Sequence, residues 1–209
     1  MPDKLFKPTA LYKVLGAHQE SCHGGTGRWT RGKRRSVKGT LVPCSNGIHL
    51  CTGNDLLHWL KDTIWEVRAS TEHIRDTNKT VVRWAYLVRK TPWNSQIARL
   101  FAADCAERVV HLNPDDPRVP AAILAARQYA FGLIGAAARD AARDAAWAAA
   151  GDAAGDAARA AAWAAAGDAA RAAAWAAAGD AEKTWQTQRL FQYLNKQVNL
   201  VAIKKSLRQ

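Results

Sequence analysis

Through the first half of the chain, apolar and polar positions alternate in short runs. Leu11-Tyr-Lys-Val-Leu15 alternates as a strand, and Gly16 ends it. Gly47-Ile-His-Leu-Cys51 follows the turn signal Ser45-Asn-Gly47, whose Asn and Gly tolerate positive φ. Its alternation puts Ile48 and Leu50 on one face and His49 and Cys51 on the other. Thr52 or Asn54 can cap a short helix over Asp55–Leu60. Ile64-Trp-Glu-Val-Arg-Ala69 is a further strand, with Trp65 and Val67 facing away from Ile64, Glu66 and Arg68. Ser70–Lys79 is polar and is expected as a loop. Thr80–Val88 is the longest strand candidate and is expected to be central.

Beyond Pro92 the spacing changes. Ile97, Leu100, Phe101, Cys105 and Val109 recur at helical intervals, predicting a helix over one face of the sheet. Asn113–Pro120 holds three prolines, which cannot continue a helix. The expected division is a basic α/β domain over 1–112, a Pro-rich linker over 113–120, and an Ala-rich helical region with a C-terminal helix over 121–209. The fold class is α+β: a small mixed sheet with covering helices, followed by an Ala-rich antiparallel helical region.

That region is repetitive. Ala136–Ala181 is largely built of tetrads, two alanines and then two variable residues, and AARAAAWAAAGD occurs at Ala157–Asp168 and again at Ala169–Asp180. A period of four drifts by about 40° per tetrad on a straight helix, so no continuous apolar face forms. Glycine costs about 1 kcal/mol in a helix interior. The expectation is antiparallel helices bent near Gly151–Gly155, with Trp147, Trp163 and Trp175 at helix–helix contacts and a homo-oligomer formed through them. Glu182–Ala202 is expected as the last helical segment.

Charge changes the picture by pointing to a partner. The net charge is +12. The part up to Val110 carries roughly +9, the Ala-rich middle about −2 and the end about +5. The densest run lies between His18 and Lys38, where four glycines accompany Arg28, Arg31, Lys33, Arg34 and Arg35, with Trp29 among them. Glycine lets a backbone approach phosphates, guanidinium forks onto their oxygens, and an indole adds a stacking surface. No uncharged apolar run is long enough for a membrane span, and no secretory signal stands at the start. A cytoplasmic protein of a bacterial host is expected.

Leu41–Cys51, LVPCSNGIHLC, concentrates the remaining chemistry. His18, Cys22, His23, Cys44, His49 and Cys51 could supply zinc donors, but without a C-x-x-C pair the favoured reading is reduced thiols beside a hydrogen-bonded histidine, and no metal. Cys44 or Cys51 with His49 could form a thiolate pair. However, strand residues two apart lie about 6.5–7 Å from each other, and no orienting acid is evident.

Two resemblances rest on these motifs. The order Leu11-Tyr-Lys-Val-Leu15, then Gly-Ile-His-Leu-Cys51 before a short helix, then Ile64-Trp-Glu-Val-Arg68, resembles the opening of the ADP-ribosyltransferase-like fold, including RNA 2′-phosphotransferases. That likeness implies a nucleotide pocket around Lys13 and His49. Lys13 stands where the family tends to have His or Arg. The lack of a Glu in Thr80–Arg99 weighs against transfer chemistry. Over Leu11–Leu112 the chain is similar to a domain of phage and actinobacterial proteins. The motifs are Trp29-Thr-Arg-Gly-Lys33, Ser36-Val-Lys-Gly39, Leu41-Val-Pro-Cys44, Gly47-Ile-His-Leu-Cys51 and Leu100–Arg108. This likeness implies an accessory role in a phage setting and brings no reaction with it.

The expected function is therefore a phage-type accessory protein, for host takeover or counter-defence. It would bind a nucleotide or nucleic acid without catalysis, require no cofactor, and self-assemble through its helices. A host or defence-system protein is a further expected partner. The ligand-binding residues would be Lys13, Arg28, Trp29, Arg31, Lys33, Arg34, Arg35 and His49. The alternatives are a nucleotide-using transferase of the ADP-ribosyltransferase type and a structural or assembly protein.

Overall fold

The computed structural model describes residues 5–23, 25–108, 110, 117–142, 144 and 168–208. They form an α+β structure containing a seven-stranded sheet. The strands are β1 (Leu11–Leu15), β2 (Arg35–Ser36), β3 (Ile48–Thr52), β4 (Thr63–Ala69), β5 (His73–Asp76), β6 (Lys79–Val82) and β7 (Trp84–Lys90). Their order is β2-β7-β4-β1-β3-β6-β5, and every pairing is antiparallel. The expected mixed sheet is thus corrected to an antiparallel one.

The central strand is β1, not the Thr80–Val88 run. That run is two strands, with Arg83 between them. Its first part pairs with β3 and β5, and its second with β4 and β2. In a flat sheet β6 and β7 would lie four strand spacings apart, about 19 Å. Val82 and Trp84 are two residues apart, so their Cα atoms are within about 7 Å. The sheet must therefore curl until its two arms meet at Arg83. Arg83 holds the junction: its backbone N–H donates to Ser70 Oγ at 3.0 Å, and its guanidinium donates to Glu72 and to the Gly39 carbonyl.

Curling creates an inside. Leu15, Ile48, Leu50, Trp65, Val67, Val82, Ala85 and Leu87 converge there from five strands, and Trp29 joins them from the glycine-rich loop. Ser70–Lys79, read from its polarity as a loop, instead contains β5 and begins β6. Residues His73, Ile74 and Arg75 of β5 are exposed, as suits an edge strand. A short 3-10 helix, Gly53–His58, follows β3. It is stapled to β5 through Asp55, which accepts from Arg75 at 2.7 and 2.8 Å and from the Thr52 amide and hydroxyl at 3.1 and 2.7 Å. Gly53 is required there, because a Cβ would lie 2.5 Å from both Phe191 Cζ and Pro8 Cα.

The chain divides into two compact units, Met1–Asn94 with Thr187–Gln197, and Ser95–Gln186 with Val198–Gln209. In the first, residues of the helix Asp168–Leu194 pack on the outer face of β1, where Phe191 meets the fully buried Tyr12 edge to face at 5.9 Å. Asn195 clamps Phe6 by two backbone hydrogen bonds. In the second, α1 (Ser95–Glu107) packs on α2 (Arg118–Ala130), joined by Arg127 to Asp104 and Glu107 at 2.9 and 2.7 Å.

The helix Asp168–Leu194 runs through Gly179 without a break. The expected last segment, Glu182–Ala202, is interrupted after Leu194. Lys196 there takes a φ of 55°, and Asn199 caps a new helix, Leu200–Ser206. Gly151–Gly155, Trp147 and Trp163 lie outside the described residues, as do residues 113–116 of the expected linker and the side chain of Trp175. No described helix is long and apolar enough to cross a membrane.

Candidate functional site

The site follows from a defect in the sheet. Strand β1 pairs with β4 over four residues, but with β3 only at Leu11–Thr52 and Tyr12–Cys51. Beyond that point β1 and β3 part. Side chains meet the carbonyls left along the split. Lys13 Nζ donates to the His49 carbonyl at 2.9 Å, Cys22 Sγ to that of Val14 at 3.4 Å, and Cys51 Sγ to that of Tyr12 at 3.7 Å. A cavity of about 510 Å³ opens over this split. Such a volume lies within the range of small-molecule and cofactor sites.

Three cations line the cavity, each from a different element. Lys13 comes from β1, Arg35 from β2 and Lys79 from β6. No Asp or Glu is among the described lining residues. Lys79 itself is paired with Asp76, at 3.2 Å. Lys13 shares the inner face of β1 with Leu11 and Leu15, because side chains two apart face the same way. Its ammonium lies 5.5 Å from the Trp29 ring centre, and the Arg35 guanidinium lies 5.0 Å from the same ring. Burial pushes the Lys13 pKa below the ordinary lysine range. The Cys22 and Cys51 thiols oppose this, and Arg35 adds to it.

At the mouth, Cys44 sits in the turn between Val42 and Asn46 with a φ of 63°, a left-handed conformation uncommon for residues other than glycine. Its backbone N–H donates to His49 Nε2 at 3.0 Å, so that nitrogen carries no proton. Its exposed sulfur receives the Lys79 ammonium at 3.0 Å. This contact is the main reason the Lys79 pKa is raised, with Asp76 adding to it. Burial, then Lys13 and Lys79, hold His49 below the usual histidine range, which keeps it a neutral acceptor. Gly47 completes the turn: a Cβ would lie 2.2 Å from Val81 Cγ1. Also lining the cavity, His23 Nε2 donates to the Trp59 carbonyl (3.1 Å), and its ring meets that of Trp59 edge to face.

The residues singled out in the sequence separate into two groups. Lys13, Trp29, Arg35 and His49 line the cavity. Trp29 is only 4 % exposed and donates its indole N–H to Ser21 Oγ, so it is a wall of the cleft and not a free stacking platform. Arg28, Arg31, Lys33 and Arg34 are exposed and do not line the cavity. Arg31 donates to the Val88 carbonyl at 2.9 Å, and Arg34 lies 4.4 Å over the Trp84 ring. Lys79 also lines the cavity, although the polar run Ser70–Lys79 reads as loop. Its position just before the Thr80-Val-Val82 run was the available signal.

The thiols have distinct roles. Cys51 is buried and its pKa is pushed up to about 12, first by burial and then by Asp55, so it stays protonated as a donor. His49 engages the backbone of Cys44 and not its thiol, so no thiol–imidazole pair forms there. Among the described residues, no three His, Cys, Asp or Glu side chains are placed to hold a metal ion. Comparison with protein families, with curated proteins and with solved structures finds no match to this chain.

Proposed function

We propose that the cleft binds a nucleotide, with its phosphates against Lys13, Arg35 and Lys79. The protein would act by holding this ligand and not by transforming it. The observation that carries the reading is the convergence of three cations from three strands on one cavity with no carboxylate in its described lining. Such a site favours an anion, because no carboxylate of its described lining neutralises Lys13 or Arg35, and Lys79, already paired with Asp76, adds a third donor at the edge. Cys44 N–H on His49 sets the rim, and the Trp59 indole, met edge to face by His23, offers an aromatic surface for a base. The same lack of a carboxylate favours binding over the transferase alternative, which calls for an acid or base near the reacting atoms.

The accessory role in host takeover or counter-defence, a cytoplasmic setting, a host-protein partner and self-assembly through the Ala-rich helices belong to the same proposal. They rest on the motif likeness and on the repeat. A melting-temperature panel tests the ligand reading. ATP, ADP and NAD should raise the melting temperature saturably, adenosine should not, and Arg35→Ala should weaken the response. An equal response to adenosine, or none to any nucleotide, would overturn it.

A further inference from the structure

The outer face of the curled sheet carries a second, separate feature. Ala85 and Leu87 of β7 are fully buried in the core, so Trp84, Tyr86 and Val88 face outward. The Trp84 and Tyr86 rings are half-buried and nearly parallel, 6° apart in orientation with centroids 6.2 Å from each other. The Arg34 guanidinium lies 4.4 Å over Trp84. Arg68, exposed on β4, stands directly across from Tyr86 in register. Arg31 is exposed and tethered by its Nε to the Val88 carbonyl at 2.9 Å. The nearby carboxylate of Glu72 is already engaged by Arg83. The patch is therefore two near-parallel, half-buried aromatic rings flanked by arginines.

We infer that this patch is a docking strip for single-stranded nucleic acid. Parallel aromatic rings on an open sheet face stack with bases regardless of sequence, and flanking guanidinium groups meet the backbone phosphates. Stacking requires unpaired bases, so the occupant is a single strand and not a duplex. The charge complements a polyanion. The apolar element is two rings, too small for a protein partner's hydrophobic core. The stacking role expected of Trp29 passes to Trp84, while Arg31 and Arg34 of the same basic loop supply the phosphate contacts. The strip is independent of the cleft.

The probe is a fluorescently labelled fifteen-residue oligo-dT, read by anisotropy at several salt concentrations. Wild type should bind it saturably and more tightly than a duplex of equal length. Tyr86→Ala and Trp84→Ala should each weaken binding about tenfold, the loss expected for one stacked base. Arg34→Ala with Arg68→Ala should weaken it further and flatten its salt dependence by roughly 0.7 in log–log slope per lost phosphate contact. This exposed pair keeps the test open if an aromatic variant fails to fold. Lys13→Met should leave oligo-dT binding unchanged, which separates this strip from the cleft. Unchanged affinity and salt slope in the arginine pair, or preference for the duplex, would overturn the inference.

Discussion

Lys13→Met probes the cleft where ligand binding should respond strongly and apo stability hardly at all. The Lys13 ammonium has one hydrogen bond, to the His49 carbonyl at 2.9 Å, and no carboxylate in its described surroundings. Met keeps most of the stem's volume and fills irregular space. Losing the hydrogen bond costs about 1 kcal/mol. Removing a partly desolvated charge offsets that cost. The apo protein should therefore keep its stability within about 1 kcal/mol. A charge-assisted hydrogen bond to a phosphate contributes about 1.5–3 kcal/mol, so Lys13→Met should weaken ADP binding by about 10- to 150-fold. Titration calorimetry with ADP and urea unfolding of the apo protein read the two quantities. The pH dependence adds a signature. Because burial lowers the Lys13 pKa, the folded protein releases this proton more readily than the unfolded chain. Between the lowered pKa and the ordinary lysine value, apo stability should rise with pH while ADP affinity falls. Both trends should vanish in Lys13→Met. Wild-type ADP affinity in the variant, or a loss of several kcal/mol of stability with the ligand response intact, would refute the reasoning.

Other expectations concern the frame around the cleft. Burial alone would raise the Asp55 pKa, but hydrogen bonds from Arg75 and Thr52 outweigh it and hold it below the usual range. Its contribution should be present above the unfolded Asp value of about 4 and disappear as pH falls through the lowered folded value. Asp55→Asn should cost about 2 kcal/mol at pH 7, discounted because Arg75 is half exposed. In urea unfolding its deficit relative to wild type should shrink at pH 3, and an equal deficit at both pH values would contradict the assignment. Among the thiols, exposed Cys44 should react with a disulfide reagent well before buried Cys51, and bound ADP should slow it. Native-state labelling of Cys51 at the rate of Cys44 would show that the split between β1 and β3 is more open than described.

Sequence pattern revealed the inner strands and hid the edges. Strands β1, β3 and β4 alternate because one face meets the curled core, and alternation is legible residue by residue. Strand β5 reads as loop because His73, Ile74 and Arg75 are all exposed. The two residues of β2 are too few to carry a period. Thr80–Val88 reads as one strand because Arg83 is a single polar interruption. Nothing local records that the chain changes partners there. Trp29 illustrates the same limit: glycines and cations imply a solvated loop, while the sheet's curl supplies the cover that buries it. Lys13 and His49 were legible through the strands carrying them. Lys79 was not, because its meeting with Cys44 depends on β6 lying beside β3.

The cationic cleft is the central claim, and native mass spectrometry of the protein purified from a bacterial host tests it most directly. The expected result is a protein ion carrying the mass of one phosphate-bearing nucleotide per chain, released on denaturation and restored by adding that nucleotide. The adduct should be absent from a variant combining Lys13→Met and Arg35→Ala. Wild-type protein with no such adduct, and none after incubation with ATP, ADP or NAD, would contradict the claim.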